Sequence, residues 1–327
     1  MKEKFRDNNE IKKEVYFFIA ELILIFLISL IASFLYSEKI NAEVGENATV
    51  TTNLEVGKSA PEILSINIEG GSVTLTANST KTVNCSVIVR DYDTDIDIIN
   101  VTAEFFDTSV SSYGDSDDNN YHYTNNSCFI NTTYGNENQS KIICKFNIWY
   151  YANSGNWRCR VEVEDNLSIG SSGFDDSFVN VLLAVGLVNA LDYGIIDMGK
   201  VSNESILNIT NYGNVKINLS LSGYAIYEGD GLAMNCTLGS IKNISIDYEK
   251  YNLTASNPGV LTLAQFESLY TNLTSNVVVK EFNLDYRHND TYNEAINETY
   301  WRIYVPTGVA GTCQGKIVFG ATQAAGS

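Results

Sequence analysis

Cys159-Arg160-Val161-Glu162-Val163 decides how this chain is read. Apolar and polar side chains take turns, so an extended strand sends Cys and both Val to one side and Arg and Glu to the other. The same alternation recurs in Ser72-Val73-Thr74-Leu75-Thr76, in Cys85-Ser86-Val87-Ile88-Val89 and in Asn100-Val101-Thr102-Ala103-Glu104-Phe105. Gly, Asn and Asp separate the runs and must supply the turns, because the whole chain has only three Pro. Beyond Tyr36 no helical period is sustained, and only Leu261–Tyr270 reads as a short helix. The pattern predicts an all-β fold of packed sheets.

The exception precedes it. Val15–Tyr36 is apolar apart from Glu21 and a few small polar residues. As a helix of about 22 residues it spans roughly 33 Å, enough for a hydrocarbon core of about 30 Å. Glu21 costs about 3 kcal/mol at mid-membrane, and the many Leu, Ile and Phe residues, at about −0.3 to −0.6 kcal/mol each, outweigh it. Lys2, Lys4, Arg6, Lys12 and Lys13 precede the segment and only Lys39 closely follows it, which keeps the N-terminus cytoplasmic and exports the rest. The bilayer is therefore the first expected partner. Cleavage after Ala42 would instead give a secreted protein. Phe17-Phe18-Ile19-Ala20-Glu21 after a basic leader also resembles type IV pilins, although Tyr16 stands where those proteins carry a small residue. That resemblance implies a filament subunit assembled through the helix.

At 327 residues the remainder suits two domains. The expected division is a basic leader at 1–14, the membrane helix at 15–36, an extended Thr/Glu/Gly linker at 37–58, and β-domains at 59–184 and 185–327. Phe178–Val185 reads as the last strand of the first domain. In the second, Ile195–Gly199, Ser205–Asn211, Lys216–Gly223, Tyr300–Pro306 and Lys316–Ala321 read as strands around a Gly-Asn turn at Gly213-Asn214. The net charge of −18 lies entirely after the apolar segment and repels phosphate backbones, so nucleic acid is not an expected partner.

All six Cys follow the apolar segment, and none stands in a C-x-x-C pair. An even count in an exported chain reads as three disulfides. Val83-Asn84-Cys85-Ser86-Val87 and Trp157-Arg158-Cys159-Arg160-Val161 resemble the two facing strands of an Ig-type sandwich. That resemblance implies a Cys85–Cys159 bridge, with Trp157 near the place of the corner Tyr, though no Trp follows Cys85 at antibody spacing. Cys128 and Cys144 flank an Asn-rich stretch and would staple a hairpin, leaving Cys236 with Cys313.

Asn-x-Ser/Thr occurs about seventeen times, always after the apolar segment, more often than composition alone produces. Asn47, Asn78, Asn100, Asn131, Asn138, Asn166, Asn208, Asn218, Asn243, Asn252, Asn272, Asn289 and Asn297 are the expected acceptors. Asp91-Tyr92-Asp93-Thr94-Asp95-Ile96-Asp97 is the most metal-like stretch, with Asp91, Asp93, Asp95 and Asp97 spaced as in a calcium loop. Ile96 replaces the Gly such a loop needs, and calcium is the only cofactor considered. Asp115–Asn120 reads as a flexible loop tip. Trp149-Tyr150-Tyr151 reads as a core or sheet-face cluster rather than a sugar platform. His122 and His288 fall in polar stretches and read as solvent-exposed. No nucleophile, metal or phosphate motif of an enzyme is present, and only a glycosidase built on two carboxylates would escape such a search.

The turn Asn211–Val215, the run Tyr300–Pro306 with Gly311–Gly315, and Trp157-Arg158-Cys159 with Asn84-Cys85-Ser86 together resemble uncharacterised archaeal cell-surface proteins. The resemblance implies tandem Ig-like sandwiches at the cell surface. The expected function is that of a membrane-anchored, non-enzymatic structural or adhesion protein meeting other envelope proteins or glycans.

Overall fold

The computed structural model describes residues 8–35, 49–55, 57–92, 97–135, 138–188 and 190–325. It divides into two compact units, 1–57 and 58–327. In the first, helix α1 runs Asn8–Leu35. Its Lys12–Ala32 stretch has a mean hydropathy of 2.7 and no buried residue. It is apolar all round, with no polar face to offer water, and by length and composition it can cross a bilayer. The leader's Lys2, Lys4 and Arg6, most of the linker, Ala42, Asn47, Asp93 and Asp95 lie outside the described residues.

The second unit is mostly β, and its first half stacks two sheets. Its strands are β1 (Glu62–Ile68), β2 (Ser72–Val73), β3 (Thr80–Arg90), β4 (Ile98–Asp107), β5 (His122–Asn125), β6 (Phe129–Asn131), β7 (Gln139–Trp149), β8 (Gly155–Asp165) and β9 (Gly170–Val179). One sheet is ordered β1-β3-β7-β6 and the other β2-β9-β8-β4-β5. The sequence alternation is a burial alternation: along β8, Trp157, Cys159, Val161 and Val163 are buried and the residues between them are not. They meet Val87, Phe105 and Ile142 in one core. The Cys85–Cys159 bridge joins β3 to β8, hence sheet to sheet. Cys128–Cys144 ties the entry of β6 to β7. Trp157 Nε1 donates to Asn153 O at 2.8 Å, pinning the corner before β8.

The second half has its own core around Ile217, Leu219, Trp301 and Ile303. Its strands are β10 (Val185–Gly186), β11 (Lys200–Val201), β12 (Ser205–Asn211), β13 (Ile217–Tyr224), β14 (Leu232–Gly239), β15 (Asn243–Ser245), β16 (Glu249–Asn252), β17 (Thr271–Asn272), β18 (Val278–Leu284), β19 (Ile296–Val305), β20 (Val309–Gln314) and β21 (Lys316–Gln323). The sheets are β10-β12-β19-β16-β17 with β11 also on β19, β18-β13-β21, and β15-β14-β20. Cys236–Cys313 crosses β14 to β20, where the two residues are register partners. Helix α2 (Leu263–Leu269) starts in a capping box of Thr262 and Gln265. Arg302 is fully buried. Its guanidinium donates to Ser202 O, Asn257 O, Gly259 O and Tyr270 Oη at 2.5–3.1 Å, which offsets the cost of burying the charge.

Three expected strands differ. Ser72–Thr76 is paired only over Ser72–Val73. Ile195–Gly199 is coil and turn, and strand pairing resumes only at β11. The strand expected to continue to Val185 stops at Val179, because the next residues hold the Asn211–Val215 turn instead. Leu182 N donates to Asn214 Oδ1 at 2.7 Å, Asn214 N to Leu182 O at 3.2 Å, and Tyr212 N to Ala184 O at 3.0 Å. Asn214 Nδ2 reaches Ala152 O at 2.9 Å and Asn180 O at 3.1 Å. Gly213 permits this approach, since a Cβ there would lie 2.1 Å from Leu182 O. The turn crosses from one sheet to another and clasps the end of the first half as it goes.

Candidate functional site

The outer face of the β2-β9-β8-β4-β5 sheet carries the groove richest in binding chemistry. Alternation puts Phe106 of β4, Arg158 and Arg160 of β8, and Phe174 of β9 on this face, opposite the core. The loop after β4 adds Thr108, Ser111, Ser112 and Tyr113 as a wall, enclosing about 610 Å³. Arg158 lies over the Phe174 ring at 3.7 Å and Arg160 over the Tyr113 ring at 4.0 Å, both within cation–π range. Arg158 pairs with Asp176 through bonds of 2.7 and 3.0 Å, and Arg160 with Glu162 at 2.8 Å. The hydrogen bond to Arg158 holds the Asp176 carboxyl below its usual range. Burial first, and then the bond to Glu162, push the Tyr113 phenol upward, so it stays a neutral donor at ordinary pH. The groove thus offers flat faces and hydroxyls with its charges matched, on a molecule that is otherwise strongly acidic.

Behind the wall lies a polar brace. His122, expected in an exposed loop, stands on β5 and is fully buried, stacked on Phe106 at 5.5 Å. Its Nδ1 is 2.8 Å from Ser111 Oγ and its Nε2 is 3.3 Å from Glu104 Oε2. This has the order of a Ser–His–acid relay. However, the amides an acyl-transfer site uses as oxyanion donors are already committed, Ser112 N to Asp115 and Gly114 N to Glu104. The arrangement fastens the loop. The Asp115–Asn120 stretch, expected to be a flexible tip, is accordingly bonded at several points: Asp115 Oδ2 accepts from Ser112 N at 2.8 Å and His122 N donates to Asp118 O at 2.7 Å. His288 is exposed, 3.0 Å from Asp285.

The remaining expected residues are scattered. Of the acidic loop, Asp91 and Asp97 are buried, and Asp97 Oδ2 accepts from Lys58 Nζ at 2.7 Å. Among the described residues no group of three or more His, Cys, Asp or Glu is placed to hold a metal. Asn78, Asn100, Asn166, Asn208, Asn243, Asn272 and Asn297 are exposed, and Asn131, Asn138, Asn218, Asn252 and Asn289 are half-buried. In Asn131, Asn252 and Asn289 the amide oxygen accepts from the N–H and hydroxyl of the Thr two residues on, a turn that the Asn-x-Thr triplet builds for itself. Asn252 Nδ2 donates to Leu269 O at 3.1 Å. Tyr150 and Tyr151 are buried, Tyr150 edge-on to Tyr212 and Tyr151 beneath Arg287.

No family model and no curated protein matches the chain. Among solved structures, a carbohydrate-binding module of the β-sandwich superfamily aligns over 81% of this chain and 97% of its own, at 12% identity and a TM-score of 0.24. Native Escherichia coli alpha-2-macroglobulin aligns over 80% of this chain and 17% of its own, at 7% identity and 0.26. The C-terminal domain of the Streptococcus agalactiae AgI/II polypeptide BspA aligns over 81% and 99%, at 7% identity and 0.19. Scores this low identify no shared chain path, so function has to be read from the chain's own residues.

Proposed function

We propose a non-enzymatic envelope glycoprotein, anchored by Val15–Tyr36, whose residues 59–184 and 185–327 form two Ig-like domains outside the cell and contact surrounding glycans or proteins. The carrying observation is the combination in one chain of an apolar helix with no buried residue and a β body closed by three disulfides. Such bridges persist in oxidising spaces. Alkaline washing of membranes should leave the protein in the pellet, and protease added to intact cells should remove the β body. Release into the wash, or full protection, would overturn the reading. A mature N-terminus near Phe17 would instead mark a filament subunit, and one near Glu43 a secreted protein.

The groove between Phe174 and Tyr113 is the contact surface of this proposal. Its matched charges, hydroxyl wall and flat faces suit a neutral polyhydroxylated ligand better than an anion. Phe174→Ala with Arg160→Ala should lower binding of the intact protein to immobilised glycans at least tenfold.

Calcium at the acidic loop belongs to the same proposal. Asp97 Oδ1 is buried with no hydrogen-bond partner, and a hard cation would satisfy it. A chelator should lower the melting temperature of the wild type by a few degrees and leave Asp97→Asn unmoved.

A further inference from the structure

The edge of a sheet exposes unpaired amides and carbonyls, and stable proteins guard such edges by shortness, bulges or charge. Here β2, β5, β6, β10 and β17 have two to four residues each. The edges at β1, β15, β18 and β20 carry register shifts. β21 has neither protection. Its eight residues run opposite β13 in unbroken register, its other side is a sheet edge, and Lys316 is its only charge.

Alongside lies a groove of about 540 Å³ between Leu187, Val188 and Leu191 on one side and Ile317, Val318 and Phe319 on the other. Ile317, Phe319 and Ala321 pack on the second core but stay only partly buried, whereas Ile217, Leu219 and Leu221 of neighbouring β13 are buried completely or nearly so. The second half is short of cover along this line.

The chain carries a segment of the complementary kind. Thr49-Val50-Thr51-Thr52-Asn53-Leu54-Glu55 alternates with period two, and it pairs with no strand. Val50 and Leu54 are 86% and 88% exposed, far from the usual state of such side chains. Set antiparallel to β21 with Glu55 opposite Lys316, the segment places Asn53 opposite Val318 and Leu54, Thr52 and Val50 opposite Ile317, Phe319 and Ala321. Both apolar side chains of the segment then fall on the core face, and its one charge meets Lys316. Residues 36–57 reach up to roughly 75 Å when extended, enough to arrive at a neighbour in the same membrane.

We propose that residues 49–55 of one copy add as a strand to β21 of a neighbouring copy. The contact is heterologous, each copy giving a strand and receiving one, so it links copies into rings or open chains. It is independent of the glycan groove, which lies on the other half.

The test uses full-length protein in liposomes. Two differently tagged variants, Asn53→Cys and Val318→Cys, are mixed and oxidised. They should give a mixed-tag dimer on non-reducing gels at least tenfold above a mixture of Asn53→Cys with Thr108→Cys. Adding Leu54→Asp should return the yield to that background. Leu54 is exposed, so its loss cannot act by unfolding the body. A yield at background, or a doubly substituted chain that cross-links only within itself, would overturn the proposal.

Discussion

Glu249 is 2% exposed in the second core, and burial pushes its carboxyl up to about 7, although the Tyr193 hydroxyl 2.8 Å away pulls it partly back. A raised acid favours the protonated form in the folded state. Its contribution is therefore complete below the ordinary Glu range and is lost as pH rises through about 7. Lifting the carboxyl from the ordinary Glu range to about 7 amounts to on the order of 3 kcal/mol. Denaturant midpoints should fall between pH 4.5 and 7.5, and Glu249→Gln should flatten that slope; an unchanged slope would refute the assignment. Nothing local announces this residue. Glu249, Lys250 and Tyr251 are all buried, so β16 is covered on both faces and lacks the alternation by which strands are read. His122 escaped for a related reason, since the loop after β4 folds back over a face that a lone strand would show to water.

At the scale of elements, alternation was enough to find β3, β4, β8, β12, β13 and β19, because each has one dry and one wet face, whereas the equally long central strands β7 and β9 went unread. Short edges such as β11 and β17 carry no such record in two residues apiece. The bridges show a similar limit. Cys85 and Cys144 are register partners across β3 and β7, yet Cys85 bonds across the sheets to Cys159 and Cys144 along its own sheet to Cys128. Flanking residues separate those choices only through the likeness to an Ig-type sandwich. Removing Cys128 and Cys144 together opens a loop of about 15 residues and should cost about 3 kcal/mol, while removing Cys85 and Cys159 should cost about 4 kcal/mol or more. Urea titration of the two double Ser variants checks the order; the reverse order would mean that the inter-sheet bridge adds little to closure.

At the scale of the molecule, residues 58–327 hold two cores whose behaviour depends on the seam between them. Asp290 joins them most directly, accepting from Tyr151 Oη at 2.7 Å and Asn119 Nδ2 at 2.9 Å. Burial would raise its carboxyl, but those bonds hold it below the ordinary range. Arg287 lies over Tyr151 at 4.4 Å and bonds Glu294, which also accepts from Tyr150 Oη at 3.2 Å. The seam's other anchor is the Asn211–Val215 turn, legible from sequence as a turn but not as a clasp, because its partners are backbone groups some thirty and sixty residues back. Gly213→Ala isolates that clasp. The new Cβ cannot coexist with Leu182 O at 2.1 Å, so the turn must withdraw at a cost of about 1–3 kcal/mol. Gly213 belongs to neither core and Leu182 only packs against the rim of the first, so the substitution should leave both cores largely packed while loosening their union. Calorimetry of the wild type should give one transition for the β body, and Gly213→Ala should give two, the first lowered by about 2–4 °C or more. A single unshifted transition in the variant would mean that the two cores are coupled through the contacts of Asp290, Arg287 and Glu294 rather than through the clasp.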